Sequence, residues 1–256
     1  MTAPTIDARG LRLAFPGRDG PLPVLDGVTF SVAAGEVVAL LGRSGCGKST
    51  LLAVLAGLTP PQSGEVLLNG AAGPAIGRLT LMPQRDALMP WRTVAANVAL
   101  AAAITGADPA EARAEARAAL RRVGLGGFED HYPHALSGGM RQRAALVRTL
   151  LAGRAGWLLD EPFGALDALT RAEMVTDMEA LWAEHRPTVV LVTHDPDEAL
   201  RLADRVLVLA PGPTRVAAEI AVDLPRPRPV GILATPAFAA LRARLLDALS
   251  VAGVLG

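Results

Sequence analysis

The sequence of 256 residues predicts an α/β fold: a parallel sheet wound with helices, an antiparallel β subdomain at its N-terminal end and an inserted helical subdomain. Three observations carry this. Short apolar runs such as Glu36–Leu41 (EVVALL) and Gly156–Leu159 (GWLL) alternate with stretches of helical periodicity, as buried parallel strands and their crossover helices do. Residues 5–32 instead alternate apolar with polar, broken by PGRDGPLP at 16–23, which marks antiparallel strands with a loop or hairpin. Between about 86 and 153 the pattern turns helical and interrupts the alternation.

In chain order, Glu36–Leu41 runs as a strand into a glycine-rich loop, and Lys48–Leu58 follows as a helix. Glu65–Asn69 and Arg78–Met82 read as strands. Thr93 to about Arg122 is helical and Ala-rich, broken by Gly-Ala-Asp-Pro at 106–109. Gly139–Ala152 is a further helix, Gly156–Leu159 a strand, Ala168–His185 a helix and Thr188–Thr193 a strand. Asp195–Ala203 is helical, followed by segments Arg205–Leu209 and Arg215–Val222. LPRPRPVG at 224–231 reads as a linker and Pro236–Leu249 as the last helix, so that linker and helix occupy about 224–252. The length suits one main core with a subdomain. No internal repeat is visible.

With 25 basic and 25 acidic residues, the chain gives no support for a nucleic-acid binder acting through bulk charge. No run approaches the roughly 18 apolar residues of a membrane span; the most apolar stretch, Val94–Ile104, is short and carries Asn97. MTAPTIDARG lacks the features of a signal peptide. One cysteine excludes an internal disulfide and suits a reducing cytoplasm. Of the 25 basic residues, 24 are Arg, and the sole lysine is Lys48 inside the glycine loop. A compact ammonium fits between phosphate oxygens where a planar guanidinium is too bulky.

That loop, Gly42-Arg43-Ser44-Gly45-Cys46-Gly47-Lys48-Ser49, followed by Thr50, fits the phosphate-binding pattern G-x-x-x-x-G-K-[ST] without mismatch, with a strand before it and a helix after it. Its backbone N–H groups cradle phosphates at the positive end of the helix dipole. Lys48 reaches the β and γ phosphates, and Ser49 places its hydroxyl on Mg²⁺. Gly156–Glu161 ends a buried strand with two carboxylates. Asp160 suits the Mg²⁺ shell, and Glu161, one residue on, suits polarising a water for attack. Gln84 and His194 each follow a strand, at the carboxyl ends where α/β sheets bind ligands; Gln84 could touch Mg²⁺ or the attacking water. LSGGMRQR at 136–143 looks like a second anion-binding helix start, 95 positions after Gly42.

Taken in order, Gly42–Thr50, Gln84, Leu136–Gln142, Leu158–Glu161, Gly164–Asp167 (GALD) and His194 resemble the nucleotide-binding subunit of ABC transporters over nearly the whole chain. The resemblance implies a P-loop NTPase (RecA-like) core and a head-to-tail homodimer. In such a dimer Ser137, Gly138 and Gly139 of one subunit close over the ATP held by the partner's loop, so each phosphate cradle is half a site. It further implies Glu161 as general base and His194 as γ-phosphate contact. Gln84 becomes a nucleotide sensor reporting to the helical subdomain, Asp167 a contact across the dimer, and Phe15 the ring stacked on adenine, such stacking being worth about 1–3 kcal/mol. Without that role, Phe15 would be a core residue of the β region.

Cys46 stands where the family often has Ser. Either a helix N-terminus and Lys48 activate its thiol, so that alkylation inactivates the ATPase with MgATP protecting, or Cys46 is a small filler with no chemical role. The cluster Leu88-Met89-Pro90-Trp91 reads either as a docking groove for a membrane permease or as packing of the helical subdomain. MPQRDALMPWRTVAANV (82–98), VTHDPDEALRLADRVLVL (192–209) and PRPR (225–228) resemble the nitrate, sulfonate and taurine importer group, which also serves pyrimidine and thiamine precursors. The chain ends soon after the core, unlike sugar or methionine importer subunits. This implies an ATPase subunit on the cytoplasmic face of the cell membrane, serving a separate permease and indirectly an extracytoplasmic solute-binding protein. The alternative is a free-standing exporter subunit for lipid or lipoprotein. Only 53 positions separate Gln84 from Ser137, leaving no room for the long coiled coils of DNA-repair relatives.

Overall fold

The computed structural model describes residues 2–18, 20–73 and 76–254. Its N-terminal residues form an antiparallel pair, Ile6–Gly17 (β1) and Gly20–Val32 (β2), closed at Gly17↔Gly20. β1 also pairs antiparallel with a later strand. Val37–Gly42 (β3) opens the second sheet; Ser63–Leu68 (β4) and the two-residue Ala71–Ala72 (β5) return to the first, giving the order β2-β1-β4-β5. Thr80–Met82 (β6), Gly156–Asp160 (β7), Thr188–Thr193 (β8), Arg205–Ala210 (β9) and Arg215–Ala221 (β10) complete a six-stranded sheet ordered β10-β9-β3-β8-β7-β6. It is parallel except for β10, which runs antiparallel to β9.

The helices are Lys48–Leu55 (α1), Val94–Ile104 (α2), Pro109–Arg122 (α3), Gly138–Leu150 (α4), Ala168–His185 (α5), Pro196–Leu202 (α6) and Pro236–Val251 (α7). α1 stops short of the expected Leu58 because Gly57 turns the chain into the left-handed region at φ 75°. The 106–109 break is a true boundary: Asp108 accepts from Ala110 and Glu111 N–H, and Pro109 opens α3.

Every residue of β3, β7 and β8 is buried, because both faces of this sheet are covered. Val38 and Leu40 pack with α1 (Leu51, Leu55) and the first sheet (Ile6, Leu11, Val28). Ala39 and Leu41 pack on the opposite face with Met178, Leu200 and Leu245 of α5, α6 and α7. The helices between β6 and β7 hold an apolar cluster of their own, including Leu88, Val98, Ala116, Leu120, Leu136 and Val147. Among the described residues, no helix is long and apolar enough to cross a membrane.

The segment 224–231 departs from the linker reading. Arg228 is 2% exposed, and its guanidinium donates to the carbonyls of Leu200, Arg201, Ala203, Val222 and Leu224. Three of these lie at the end of α6, where the last turn leaves carbonyls without helical partners. Its backbone N–H donates to the buried Glu179 at 2.5 Å. The segment is therefore a strap that fixes α7 against the sheet. Burial, then the neighbouring Arg226 charge, drag the Arg228 pKa down to about 10, which leaves it charged at neutral pH.

Candidate nucleotide site

β3 lies inside the sheet between β9 and β8 and delivers Gly42 to the carboxyl end of the strands, the end to which β8, β7 and β6 also run. Gly47 leads into α1 at φ 109°. A Cβ there would lie 2.7 Å from Thr214 Oγ1 and 2.9 Å from Val24 Cγ1, so only glycine fits. The Thr214 hydroxyl, fully buried, donates to the Cys46 carbonyl and braces the loop from behind. No side chain caps α1, so its first N–H groups are available to an anion. Lys48 is buried, and its ammonium donates to Gly42 O at 2.8 Å and Arg43 O at 2.9 Å. Arg43, Ser44, Gly45 and Ser49 are exposed and Thr50 half-buried.

Of the two roles open to Cys46, its position fits the filler and not the reactive thiol. It is 5% exposed and packs in the apolar cluster between the sheets, and its N–H closes a turn onto Arg43 O at 3.2 Å. The thiol fills space behind the cradle, where a buried cysteine is unreactive.

Asp160 is buried at the end of β7. Burial raises its pKa above the ordinary carboxylate value; the Ser49 hydroxyl opposes this, the Glu161 charge adds to it, and Lys48 again opposes it. Lys48 spends its hydrogen bonds on loop carbonyls. A buried carboxylate beside a hydroxyl and without a dedicated cation fits a hard divalent ion that keeps most of its water. Among the described residues there is no cluster of three or more His, Cys, Asp or Glu that would make a closed metal site.

Three parallel strands converge on Glu161. Its N–H donates to Val192 O of β8 at 2.9 Å. Its side-chain Oε2 accepts Gln84 Nε2 at 3.2 Å and lies 3.4 Å from His194 Nδ1. Glu161 is held at φ 48°, a conformation costing a non-glycine residue about 1–3 kcal/mol. Gln142 of α4 donates to its carbonyl at 3.3 Å and Gly164 N–H at 3.1 Å. Gln84, Glu161 and His194, each read from the sequence as a strand-end residue, therefore meet at one carboxylate.

Ser137 caps α4, accepting from Met140 N–H at 3.2 Å. Ser137 and Gly138 are exposed, while Gly139 lies against the Ala165–Leu166 loop, where a Cβ would reach Leu166 Cδ2 at 3.1 Å. Among the described residues, no hydrogen bond joins this segment to the glycine loop of the same chain. Asp167, exposed, caps α5 through Leu169 and Thr170; these bonds, led by the Thr170 N–H, hold its pKa below the usual value. Phe15 is 41% exposed and pairs with exposed Leu22 in the β1–β2 hairpin, so it is not a core residue. Trp91 is 72% exposed and does not pack the helical subdomain; Leu88 does.

The sequence reading missed the groups that hold these segments. Arg141 donates to Asp86 Oδ2 and to Leu136 O, both at 2.8 Å, and Arg148 donates to Asp86 O and Ala87 O. The chain just past Gln84 is thus pinned to the helix that begins at Ser137. Only the placement of Asp86 two residues after Gln84 hinted at this. Thr214 and Arg228 had no sequence signal.

The fold and these residues define a nucleotide-binding cassette of the P-loop class: a glycine loop and its lysine, a buried carboxylate beside a hydroxyl, and a second carboxylate met by Gln and His. Residues 25–164 match the ABC transporter family model. An aliphatic sulfonates import ATP-binding protein of Streptomyces avermitilis is 46% identical over 251 residues, covering 98% of this chain and 93% of the relative. A taurine import ATP-binding protein of Burkholderia pseudomallei is 46% identical over 221 residues, 86% of this chain and 85% of the relative. Among solved structures, the dimeric ATP-binding cassette MJ0796 in a post-hydrolysis state with ADP and Pi superposes with TM-score 0.79 at 27% identity, covering 86% of this chain and 99% of that one. The chain belongs to the ABC transporter family, as an ATP-binding cassette.

Proposed function

We propose that this chain is the ATP-hydrolysing subunit of an importer for sulfonate- or taurine-like solutes. The observation that carries the enzymatic part is the meeting of Gln84 and His194 on the Glu161 carboxylate, next to Asp160 and Lys48. Gly42–Thr50 hold the triphosphate, and Lys48 exchanges its loop carbonyls for phosphate oxygens. Phe15 offers a face to adenine. Glu161 takes the proton of the attacking water, His194 holds the γ phosphate, and Gln84 orients the water and reports to α2–α4. Ser49, Asp160 and Gln84 would hold Mg²⁺, which when bound neutralises charge on the transferring phosphoryl group.

Ser137 and Gly138, exposed, and Gly139, packed on Leu166, make no hydrogen bond to their own chain's loop among the described residues; they complete the site of a second copy bound head to tail, with Asp167 beside them. The dimeric state of the related cassette supports this. Closure around two nucleotides moves the helical subdomains. The exposed Trp91 beside Leu88 offers the surface on which a permease follows that movement. The names of the relatives favour import over export, and hence an extracytoplasmic solute-binding protein acting on the far side of the cell membrane.

Two experiments test this. The purified chain should hydrolyse ATP only with Mg²⁺. Tagged chain withdrawn from native membranes in mild detergent should bring a multi-span permease and a solute-binding protein. A permease without a binding protein would mean export, and soluble partners alone would end the transporter reading.

A further inference from the structure

Arg171, in the first turn of α5, has no role above. Its guanidinium sits where three segments meet. Nη2 donates to Leu166 O at 3.0 Å, holding the loop between Glu161 and Asp167. Nη1 lies 3.7 Å from Asp195 Oδ2, and Nε lies 3.5 Å from Glu198 Oε1. Those carboxylates frame His194. Asp195 caps α6. Glu198, buried, accepts the Thr193 hydroxyl at 2.6 Å, and Thr193 Oγ1 accepts Asp195 N–H at 3.0 Å. His194 is thus held between two residues of one small network whose cationic partner is Arg171.

The link is slack in this conformation. Arg171 Nε is buried and, among the described residues, makes no hydrogen bond. A buried donor left unpaired is costly, so a small approach of α6 to α5 that seats it on Glu198 is favoured.

We infer that Arg171 is a positioning residue that couples the Leu166–Asp167 segment to the His194 loop, closing its missing hydrogen bond to Glu198 as the two approach. The inference rests on the proposed function, in which Asp167 faces the partner subunit and His194 faces the γ phosphate. It makes Arg171 the means by which contact at one face sets the catalytic geometry at the other. Arg171 reaches Leu166 O while both carboxylates stand beside it, a task for a planar fork and not for a point charge.

The test is MgATP hydrolysis by the full chain as wild type, Arg171→Met, Arg171→Lys, Glu198→Gln and the Arg171→Met/Glu198→Gln double variant. ATP affinity without Mg²⁺ and thermal melting are measured alongside. In Arg171→Met, kcat should fall about 10- to 100-fold. KM and ATP affinity should stay within about twofold, because Arg171 touches no residue of the 42–50 loop. Arg171→Lys, which keeps charge and stem if Met unfolds the chain, should also lose about tenfold. The double variant should be no slower than the slower single one. Wild-type kcat in both Arg171 variants below their melting points overturns the coupling, as do multiplicative losses in the double variant. A wild-type chain that does not hydrolyse ATP removes the proposed function and the coupling together.

Discussion

Arg228→Met tests whether the C-terminal strap is structural. Met keeps the aliphatic stem and deletes the fork. The fork makes six hydrogen bonds to five carbonyls in a site that is 2% exposed. At about 1 kcal/mol for each carbonyl left dry, the loss is about 5 kcal/mol. Relief of the buried charge returns part of this, so about 3 kcal/mol is a fair floor. For a chain of this size that lowers Tm by about 6–12 °C. Thermal unfolding by circular dichroism reads the shift directly. Proteolysis should cut within 224–235 before the rest of the chain is degraded. ATP affinity at low temperature should be unchanged, since Arg228 contacts none of the nucleotide residues. A Tm drop below about 2 °C would refute the reasoning and return 224–231 to the status of a linker.

Glu161→Gln should bind ATP normally and lose about 10²–10⁴ in turnover; an unaltered rate would remove Glu161 as the base. Asp160→Asn bears on pH. Burial raises the folded-state pKa of Asp160 above its unfolded value, so its favourable contribution exists at low pH and is lost as pH rises through the folded pKa. In EDTA at pH 7–8, Asp160→Asn should therefore raise Tm measurably above that of the wild type, while hydrolysis is lost. The gain should vanish below pH 4; a destabilised variant at pH 8 would contradict the assignment of strain to this carboxylate. Maleimide should label Cys46 in the native chain at under about a tenth of the rate in urea, and Cys46→Ser should keep its turnover, since buried cysteines are inert. Rapid stoichiometric labelling of native protein would revive the reactive-thiol expectation.

Local pattern was enough for much of this protein. A strand, a glycine loop and a helix in succession define the phosphate cradle, because backbone N–H groups and a dipole need no distant partner to bind an anion. Apolar runs reported β3, β7 and β8, because strands covered on both faces have no polar alternative. Gln84, Glu161 and His194 were legible as strand-end residues. That they share one carboxylate followed only from the strand order β3-β8-β7-β6, which brings residues 77 and 33 positions from Glu161 together. Interactions that span the fold left no local mark. Arg228 looked like any arginine among prolines, yet it carries the end of α6. Cys46 looked poised for chemistry in the loop pattern, yet the first sheet closes over it. Thr214, 168 positions from Cys46, braces the loop only because the β9–β10 turn arrives there. Burial and long-range hydrogen bonds are properties of the packed chain, so the tertiary structure alone decided them.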